Sequence, residues 1–157
     1  MTEKITEDRD FRLWTMLYQT RDAILKARNK ELYKYNLSFM KAGLLFAVEA
    51  SGGKPSGTEI SRWMFREPHT ISGLIGRLMR NGLVTRAKVP GRKNMMEISL
   101  TEKGKKAYQE SLKMESIHEI LSCLTEDERT QLYATLQKLR DKALKTLTTE
   151  RESLPFP

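Results

Sequence analysis

The hydrophobic period of the chain changes at residue 83, and this change constrains the fold more than any other feature. Upstream, apolar side chains recur every three or four residues, which is the period of an amphipathic helix. Over residues 83–89 and again over 95–100, apolar and polar residues alternate, as in half-buried strands. Pro90 and Gly91 separate the two segments and favour a turn between them. The sequence therefore predicts a β-hairpin inserted in a chain that is otherwise helical.

Four helices are predicted before the hairpin. The first spans residues 8–34, and Ser38 caps a second, more apolar helix. Two short helices follow at 58–65 and 68–81, where Pro68 suits a first turn and Gly82 suits a helix end. Residues 54–56 are a further candidate strand. Two short helices joined by a tight turn and followed by a hairpin form a winged helix-turn-helix, and we assign residues 37–101 to this unit.

Two more helices are predicted after the hairpin, which gives the order α-α-α-α-β-β-α-α. Thr101 caps one helix whose apolar stripe runs to Leu124, and Thr125 with Glu128 has the spacing of a capping box for the last. We do not expect the small middle region to cover the apolar stripes of the terminal helices. Residues 1–36 and 102–157 are therefore predicted to form a helical dimerisation region, with packing inside one chain as the alternative. The predicted fold class is mainly α with a small β-hairpin wing.

The net charge is concentrated around the predicted hairpin. Nine Lys and Arg residues but only two Glu residues lie between residues 54 and 94, so this segment carries +7 of the formal net charge of +8. A solvated basic surface is one interpretation, and a binding site for a polyanion is the other. The helix at 68–81 favours the second, because its outward residues are small or polar near the N-terminus and basic farther along. That pattern suits the major groove of DNA.

Two segments of the chain resemble a known family. Residues 73–86 read GLIGRLMRNGLVTR, and residues 100–104 read LTEKG after the basic hairpin. Together they resemble the multiple antibiotic resistance regulator (MarR) family of bacterial transcription factors, over residues 37–104 by motif and over the whole chain by helix order. The resemblance implies that terminal helices form a homodimer and that the winged unit binds a pseudo-palindromic operator. It also implies a small aromatic or phenolic ligand between the two regions, and hence a ligand-responsive repressor.

The resemblance also assigns roles to individual residues. Arg77 matches the arginine before the last apolar residue of the recognition helix, with a structural ion pair as the alternative. Arg86 matches the arginine on the first wing strand, which contacts phosphate or braces the hairpin. The family's wing carries Asp-x-Arg where this chain has Arg92, Lys93 and Asn94, so we expect Arg92 or Lys93 to take over the contact. The predicted DNA-binding residues are Pro68, His69, Thr70, Ser72, Gly73, Arg77, Arg80, Arg86, Arg92, Lys93 and Asn94.

Two arginines interrupt the apolar stripe of the first helix, namely Arg21 and Arg28. One interpretation pairs them with acidic residues of the terminal helices. The other places Arg21 on the carboxylate of a ligand, because a guanidinium fork matches carboxylate geometry. In that case the ring of the ligand packs on aromatic side chains, and the candidates are Trp14, Tyr18, Phe39 and Phe46.

Several classes of protein are excluded. One cysteine and two histidines cannot form an internal disulfide or a Cys/His zinc site, and the sequence has no Gly-rich phosphate loop or nucleophile elbow. We expect no enzyme, cofactor or metal. We expect Cys123 to be a small core residue, with a redox sensor as the alternative. Because the chain has no long apolar run and no signal peptide, we expect a cytoplasmic protein. The leading function is a homodimeric DNA-binding transcriptional regulator. A winged-helix protein-interaction module is the alternative, and the cationic excess argues against it.

Overall fold

A computed structural model describes residues 8–147, which form seven α-helices, one 3-10 turn and a two-stranded sheet. In chain order the elements are α1 (Arg9–Leu32), the 3-10 turn (Tyr33–Tyr35), α2 (Phe39–Ala50), α3 (Gly57–Met64), α4 (Pro68–Arg80), β1 (Val84–Lys88), β2 (Met96–Leu100), α5 (Glu102–Ser111), α6 (Glu115–Leu121) and α7 (Glu126–Leu147). The predicted fold class, mainly α with a β-hairpin wing, is confirmed. The remaining residues of the predicted dimerisation region, 1–7 and 148–157, lie outside the described residues.

Short polar side chains start the helices where the sequence places them. The side-chain oxygens of Ser38 and Thr101 each accept a backbone N–H in the first turn of α2 and α5. At α7, the Thr125 N–H donates to the Glu128 carboxylate at 2.8 Å and the Glu128 N–H donates to the Thr125 hydroxyl at 3.3 Å. This reciprocal pair is the predicted capping box.

The segment after the hairpin departs from the prediction. The sequence predicts one helix over residues 101–124, whereas the structure has two, α5 and α6, so that prediction is wrong. Between them Met114 lies in the left-handed region, with φ 49°. The carboxylate of Glu31 on α1 accepts the N–H groups of Glu115 at 2.9 Å and Ser116 at 3.1 Å. A distant carboxylate therefore caps a new helix start, which the local period of the sequence does not reveal.

The wing is attached to the loop before α3. β1 and β2 pair in antiparallel register along their full length. Residues 54–56 do not form the strand considered from sequence: Ser56 makes an isolated bridge to Glu97, and the Ile98 N–H donates to the Pro55 carbonyl at 2.9 Å. These contacts hold β2 of the hairpin beside the start of α3.

The core lies within residues 37–101, which we call the winged head, together with the end of α1. The largest fully buried side chains are Leu32, Leu37, Leu44, Leu45, Val48, Ile60, Ile71, Leu74, Leu78 and Ile98. Burial of each such side chain contributes about 1.5–3 kcal/mol to folding. The helices of the head therefore form a packed platform for α4 and the wing.

A close backbone contact joins α5 to the winged head. A Cβ at Gly104 would lie 1.9 Å from the carbonyl oxygen of Leu83, so only glycine fits there. Gly82 has φ 70° and ends α4, and its carbonyl accepts the Thr101 hydroxyl at 2.6 Å. The direction in which α5 leaves the head is thus set by two glycines and one hydroxyl.

A buried polar cluster joins α1 to the α5–α6 junction. Arg28 forms an ion pair with Glu31 at 2.9 Å, and their side chains are only 11% and 4% exposed. Arg28 also donates to the carbonyl of Ser111 at the end of α5, and the hydroxyl of Ser116 donates to Glu31. We call these four residues the polar latch. The predicted ion pair of Arg28 with an acidic residue of the terminal helices is confirmed.

The last helix, α7, has no buried residue in the single chain. Its stripe is exposed, with Leu132 and Leu139 at 42% and Leu136 at 43%. Cys123, just before α7, is also exposed, so the prediction that it is a core residue is wrong. An apolar stripe of this length is left without an intramolecular partner among residues 8–147.

Candidate nucleic-acid interface

The segment that leads into α4 is held by short hydrogen bonds. At the start of α3, the Ser56 N–H donates to the Glu59 carboxylate at 2.7 Å, and this bond with that from the Ser56 hydroxyl lowers the pKa of Glu59. At the end of α3, Phe65 has φ 51°, and the buried Ser61 hydroxyl donates to the Arg66 carbonyl at 2.6 Å. The turn between α3 and α4 therefore has a fixed geometry, as a helix-turn-helix requires.

α4 has one buried face and one exposed face. The buried face consists of Ile71, Leu74, Ile75 and Leu78. Pro68 occupies the first turn, and His69, Ser72, Gly73 and Arg77 are exposed, whereas Thr70 is half-buried. The predicted outward residues thus lie on the surface, with Thr70 at its margin.

Packing within the chain does not require a glycine at position 73. A Cβ built at this position meets no atom within 4 Å, and its backbone is ordinary helix. Glycine in the middle of a helix costs about 0.5–1 kcal/mol relative to alanine. A residue that lowers stability and fills no tight space is typical of a surface that a partner approaches closely.

The hairpin brings distant predicted residues together beside α4. A cleft of about 460 Å³ lies between the starts of α3 and α4 and the wing. Five of the predicted DNA-binding residues line it, namely Pro68, Ser72, Arg86, Lys93 and Asn94. The cleft therefore combines a helix N-terminal region with two cations, an arrangement that suits phosphate.

The wing tip is a second cationic surface. A cleft of about 700 Å³ is lined there by Arg86, Lys88, Arg92 and Lys93. Asn94, with φ 68°, closes the turn. Among residues 8–147, none of these four cations forms an ion pair, and the Arg92 guanidinium makes a hydrogen bond to the sulfur of Met95, at 3.5 Å. Their charge is available to an external anion.

The two clefts also include residues that the sequence analysis did not single out. Thr58 lines the first cleft and Lys88 lines the second. Lys88 lies two residues from Arg86 and so on the same face of β1, a signal that strand alternation could have given. Thr58 had no comparable signal, because its place depends on how the wing folds back on α3.

Arg80 lies apart from the other predicted residues. Its side chain lines a different cavity, with Tyr35, Leu37 and Lys103, and neither of the clefts beside the wing. The structure therefore does not bring Arg80 together with Ser72 and Arg86.

The predicted effector residues do not form one site within a single chain. Arg21 forms an ion pair with Asp22 at 2.8 Å. This contact agrees with the first interpretation of Arg21, in which it pairs with an acidic residue of the terminal helices. The exposed rings of Trp14 and Tyr18 stack with centroids 6.3 Å apart.

The other two aromatic residues lie elsewhere. Phe46 packs against Trp63 and Tyr108, with centroids 5.0 and 6.4 Å apart. The Phe39 N–H donates to the side chain of Asn29. Asn29 is about 22 Å along α1 from Trp14, at 1.5 Å per residue.

The described part of the chain offers no site for a metal ion. No three His, Cys, Asp or Glu side chains within residues 8–147 are grouped to bind one. In the same range, none of the helices combines the length and the apolar character needed to span a membrane.

Comparison with known proteins gives relatives that regulate transcription. The sequence matches no family model. It is 33% identical over 113 residues to the HTH-type transcriptional regulator BilQ of Clostridium symbiosum (strain WAL-14163), covering 69% of this chain and 76% of that protein. The structure is similar to the organohalide-sensing regulator RdhR-CbdbA1625 in its 2,4-dichlorophenol-bound form, with a TM-score of 0.87 and 28% identity over 97% of this chain and 92% of that one.

The fold is also that of MarR proteins at lower identity. A MarR variant from E. coli complexed with operator DNA has a TM-score of 0.76 at 18% identity, covering 81% of this chain and 92% of that one. These relatives are transcriptional regulators and not enzymes. With the helix-turn-helix, the wing and the cationic clefts in place, this chain belongs to the MarR family of winged helix-turn-helix transcriptional regulators.

Proposed function

We propose that two copies of this chain bind a pseudo-palindromic operator and repress transcription until a small aromatic ligand releases them. In this proposal, α4 of each copy enters a major groove and the wing contacts the neighbouring backbone or minor groove. Two such helices one helical turn apart, about 34 Å, read two half-sites. The observation that carries the proposal is the unpaired cationic surface of the wing beside the exposed face of α4.

The residues proposed to contact DNA divide by chemistry. Arg86, Arg92 and Lys93 suit phosphates, because they are exposed cations without an ion pair in the described part of the chain. The residues proposed to approach base edges are Pro68, His69, Thr70, Ser72, Gly73, Arg77 and Asn94. Arg80 lies apart from these residues, and we propose that it contacts DNA separately from them, at the end of α4. A module that bound only proteins would have no need of this excess charge.

Exposed apolar side chains support the homodimer. Besides the stripe of α7, the first helix exposes Phe11, Trp14 and Tyr18 at 42%, 63% and 53%. Water contact with large apolar side chains is unfavourable by about 25 cal/mol per Å². Pairing residues 1–36 and 102–157 of two copies about a two-fold axis covers both surfaces at once. In this proposal the protein works in the cytoplasm, with the DNA that it binds.

A phenolic or aromatic ligand is proposed by similarity and by the exposed aromatic residues. The relative RdhR-CbdbA1625 binds 2,4-dichlorophenol. Trp14 and Phe39 belong to distant parts of α1 and α2, so a pocket that holds Trp14, Tyr18, Arg21, Phe39 and Phe46 together requires side chains of two copies. A ligand that prefers the wrong half-site spacing lowers DNA affinity, and DNA lowers ligand affinity by the same factor.

The proposal is tested by a gel shift with the DNA upstream of the protein's own coding sequence. We expect a shifted complex that survives an excess of random duplex DNA, because base contacts from α4 add to the phosphate contacts. Equal displacement by random DNA would support a non-specific or protein-binding role and contradict the proposal.

The Gly73→Leu variant is expected to separate stability from DNA binding. Because the position is open, the leucine side chain removes the helix cost of glycine, and the free energy of unfolding rises by about 0.5–1 kcal/mol. The added bulk keeps α4 out of the groove, so operator affinity falls about tenfold or more. The Gly73→Ala variant is the control, with the same gain in stability and near-normal binding. Unchanged affinity of the leucine variant would exclude Gly73 from the interface.

Removing the wing cations is expected to reduce the salt dependence of binding. In the double variant Arg92→Ala and Lys93→Ala, each half-site loses about two phosphate contacts, and each contact contributes about 0.9 to the slope of log K against log salt. Binding is titrated over a range of salt concentrations, with Lys142→Ala and Lys145→Ala on α7 as a charge-matched control. A slope equal to that of the unmodified protein would show that the wing tip does not contact DNA phosphates.

A further inference from the structure

A separate cavity opens on the side of the winged head, where the 3-10 turn, the end of α4 and α5 meet. Its volume is about 720 Å³, which is within the range of small-molecule sites. Tyr35 and Leu37 line one side, and Arg80 and Asn81 line the second. The third side is formed by residues of α5 and of the turn that follows it, namely Lys103, Lys106, Ala107, Glu110 and Lys113. None of the predicted effector residues lines this cavity.

The cavity has an uncompensated positive charge. Its four cations are Arg80, Lys103, Lys106 and Lys113. The carboxylate of Glu110 pairs with Lys113 at 2.6 Å, and the Lys103 ammonium donates to the carbonyl of Asn81 at 2.9 Å. Within residues 8–147, Arg80 and Lys106 form no ion pair. Three cations therefore share one cavity without a carboxylate partner, and an anion there relieves their mutual repulsion.

The remaining wall is apolar and aromatic. Leu37 and Leu83 are buried behind the cavity at 1% and 6% exposure. The Tyr35 ring is half-buried, and the Lys113 ammonium lies 5.2 Å from its centroid. A ring that lies against this wall can stack on Tyr35 while its charged group reaches the cations. The cavity thus combines an apolar wall with a cationic rim.

We infer that this cavity binds an aromatic anion with two negative charges, the class to which aryl phosphates and aromatic dicarboxylates belong. The two negative charges match Arg80 and Lys106, which form no ion pair in the described residues, and the aromatic ring matches the wall formed by Tyr35. The site lies between the end of α4 and the helix that leaves the head. Its action on operator binding rests on the proposed function, whereas binding of the anion itself does not.

The test is calorimetric titration of the full-length protein, without DNA and at low salt, with phenyl phosphate. Phenol and inorganic phosphate are titrated in parallel, because each carries only half of the proposed chemistry. We expect saturable binding of phenyl phosphate about tenfold tighter than either reference compound. Lys106→Gln weakens it about fivefold, while Lys105→Gln, one residue away and outside the cavity lining, leaves it unchanged.

Three results would overturn the inference. The first is no saturable binding of phenyl phosphate up to about 5 mM, and the second is equal affinity in the Lys106→Gln and Lys105→Gln variants. The third is that Lys106→Gln lowers the salt slope of operator binding as the wing variant does, since Lys106 would then contact DNA. The titration result does not depend on the gel-shift outcome, because the phenyl phosphate titration contains no DNA. Conversely, a failed gel shift with intact anion binding would reject the proposed function alone.

Discussion

Replacing Glu31 by glutamine is expected to lower the free energy of unfolding by about 3 kcal/mol at neutral pH. Glu31 is the centre of the polar latch, with one cation and three hydrogen-bond donors on its carboxylate. The substitution leaves Arg28 buried without its ion-pair partner. It also weakens the cap of α6, which begins at Glu115 only because the Glu31 carboxylate accepts its first N–H groups.

The pH dependence of this effect has a defined sign. Burial by itself would raise the pKa of Glu31, but hydrogen bonds from the Ser116 hydroxyl, from Arg28 and from the N–H groups of Ser116 and Glu115 outweigh it and lower the pKa from 4.5 to about 2. The stabilisation is therefore complete above pH 4.5, the unfolded value, and is lost as the pH falls towards 2. The difference in stability between the native protein and Glu31→Gln should shrink over this range.

Denaturant unfolding followed by circular dichroism at neutral and acid pH measures this difference. Glu119→Gln is the matched control, because Glu119 lies exposed on α6 and outside the latch. We expect it to change stability by less than about 0.5 kcal/mol. A Glu31→Gln variant as stable as this control, or a difference between the Glu31→Gln variant and the native protein that is independent of pH, would show that the latch does not stabilise the fold.

Introducing charge into the α7 stripe is expected to abolish both dimerisation and operator binding. Leu136→Glu and Leu139→Glu together place two carboxylates on a face that we propose to be buried between copies. In a two-fold interface each substitution occurs twice, so four buried charges oppose association. Losing the second half-site lowers operator affinity about 100-fold or more, because the two heads no longer bind as one unit.

Sedimentation equilibrium and gel shifts measure the two effects on the same samples. The control is Ala134→Glu with Gln137→Glu, which adds the same charge to the opposite face of α7. We expect the control to remain dimeric and the stripe variant to be monomeric with an intact helical spectrum. A stripe variant that stays dimeric and binds normally would place the interface elsewhere.

Local signals in the sequence were sufficient for the winged head. Some features depend only on residues a few positions apart, so they can be predicted from the sequence. They are the helix caps at Ser38, Thr101 and Thr125, the turn before Pro68 and the alternation of apolar and polar residues in the hairpin. The exposed face of α4 followed from the spacing of Ile71 and its apolar neighbours. These are the features for which prediction and structure agree.

Long-range contacts account for the errors. The break between α5 and α6 depends on Glu31, which lies 84 residues before Glu115. The exposure of Cys123 depends on whether α7 packs against the rest of the chain, and the spacing of apolar residues along α7 does not determine this. The aromatic residues proposed to bind an effector lie apart for a similar reason. Trp14 and Phe46 are both aromatic, but only the tertiary fold determines whether they are close together.

The central claim is that a symmetric pair of winged heads reads duplex DNA, and one measurement tests it directly. The purified protein is allowed to select duplexes from a random pool, and the mass of the complex with the enriched duplex is determined by sedimentation. We predict an inverted repeat with half-site centres about 10 base pairs apart, bound by two copies of the chain. Enrichment of no common sequence, or a complex with a single copy on an asymmetric site, would contradict the account.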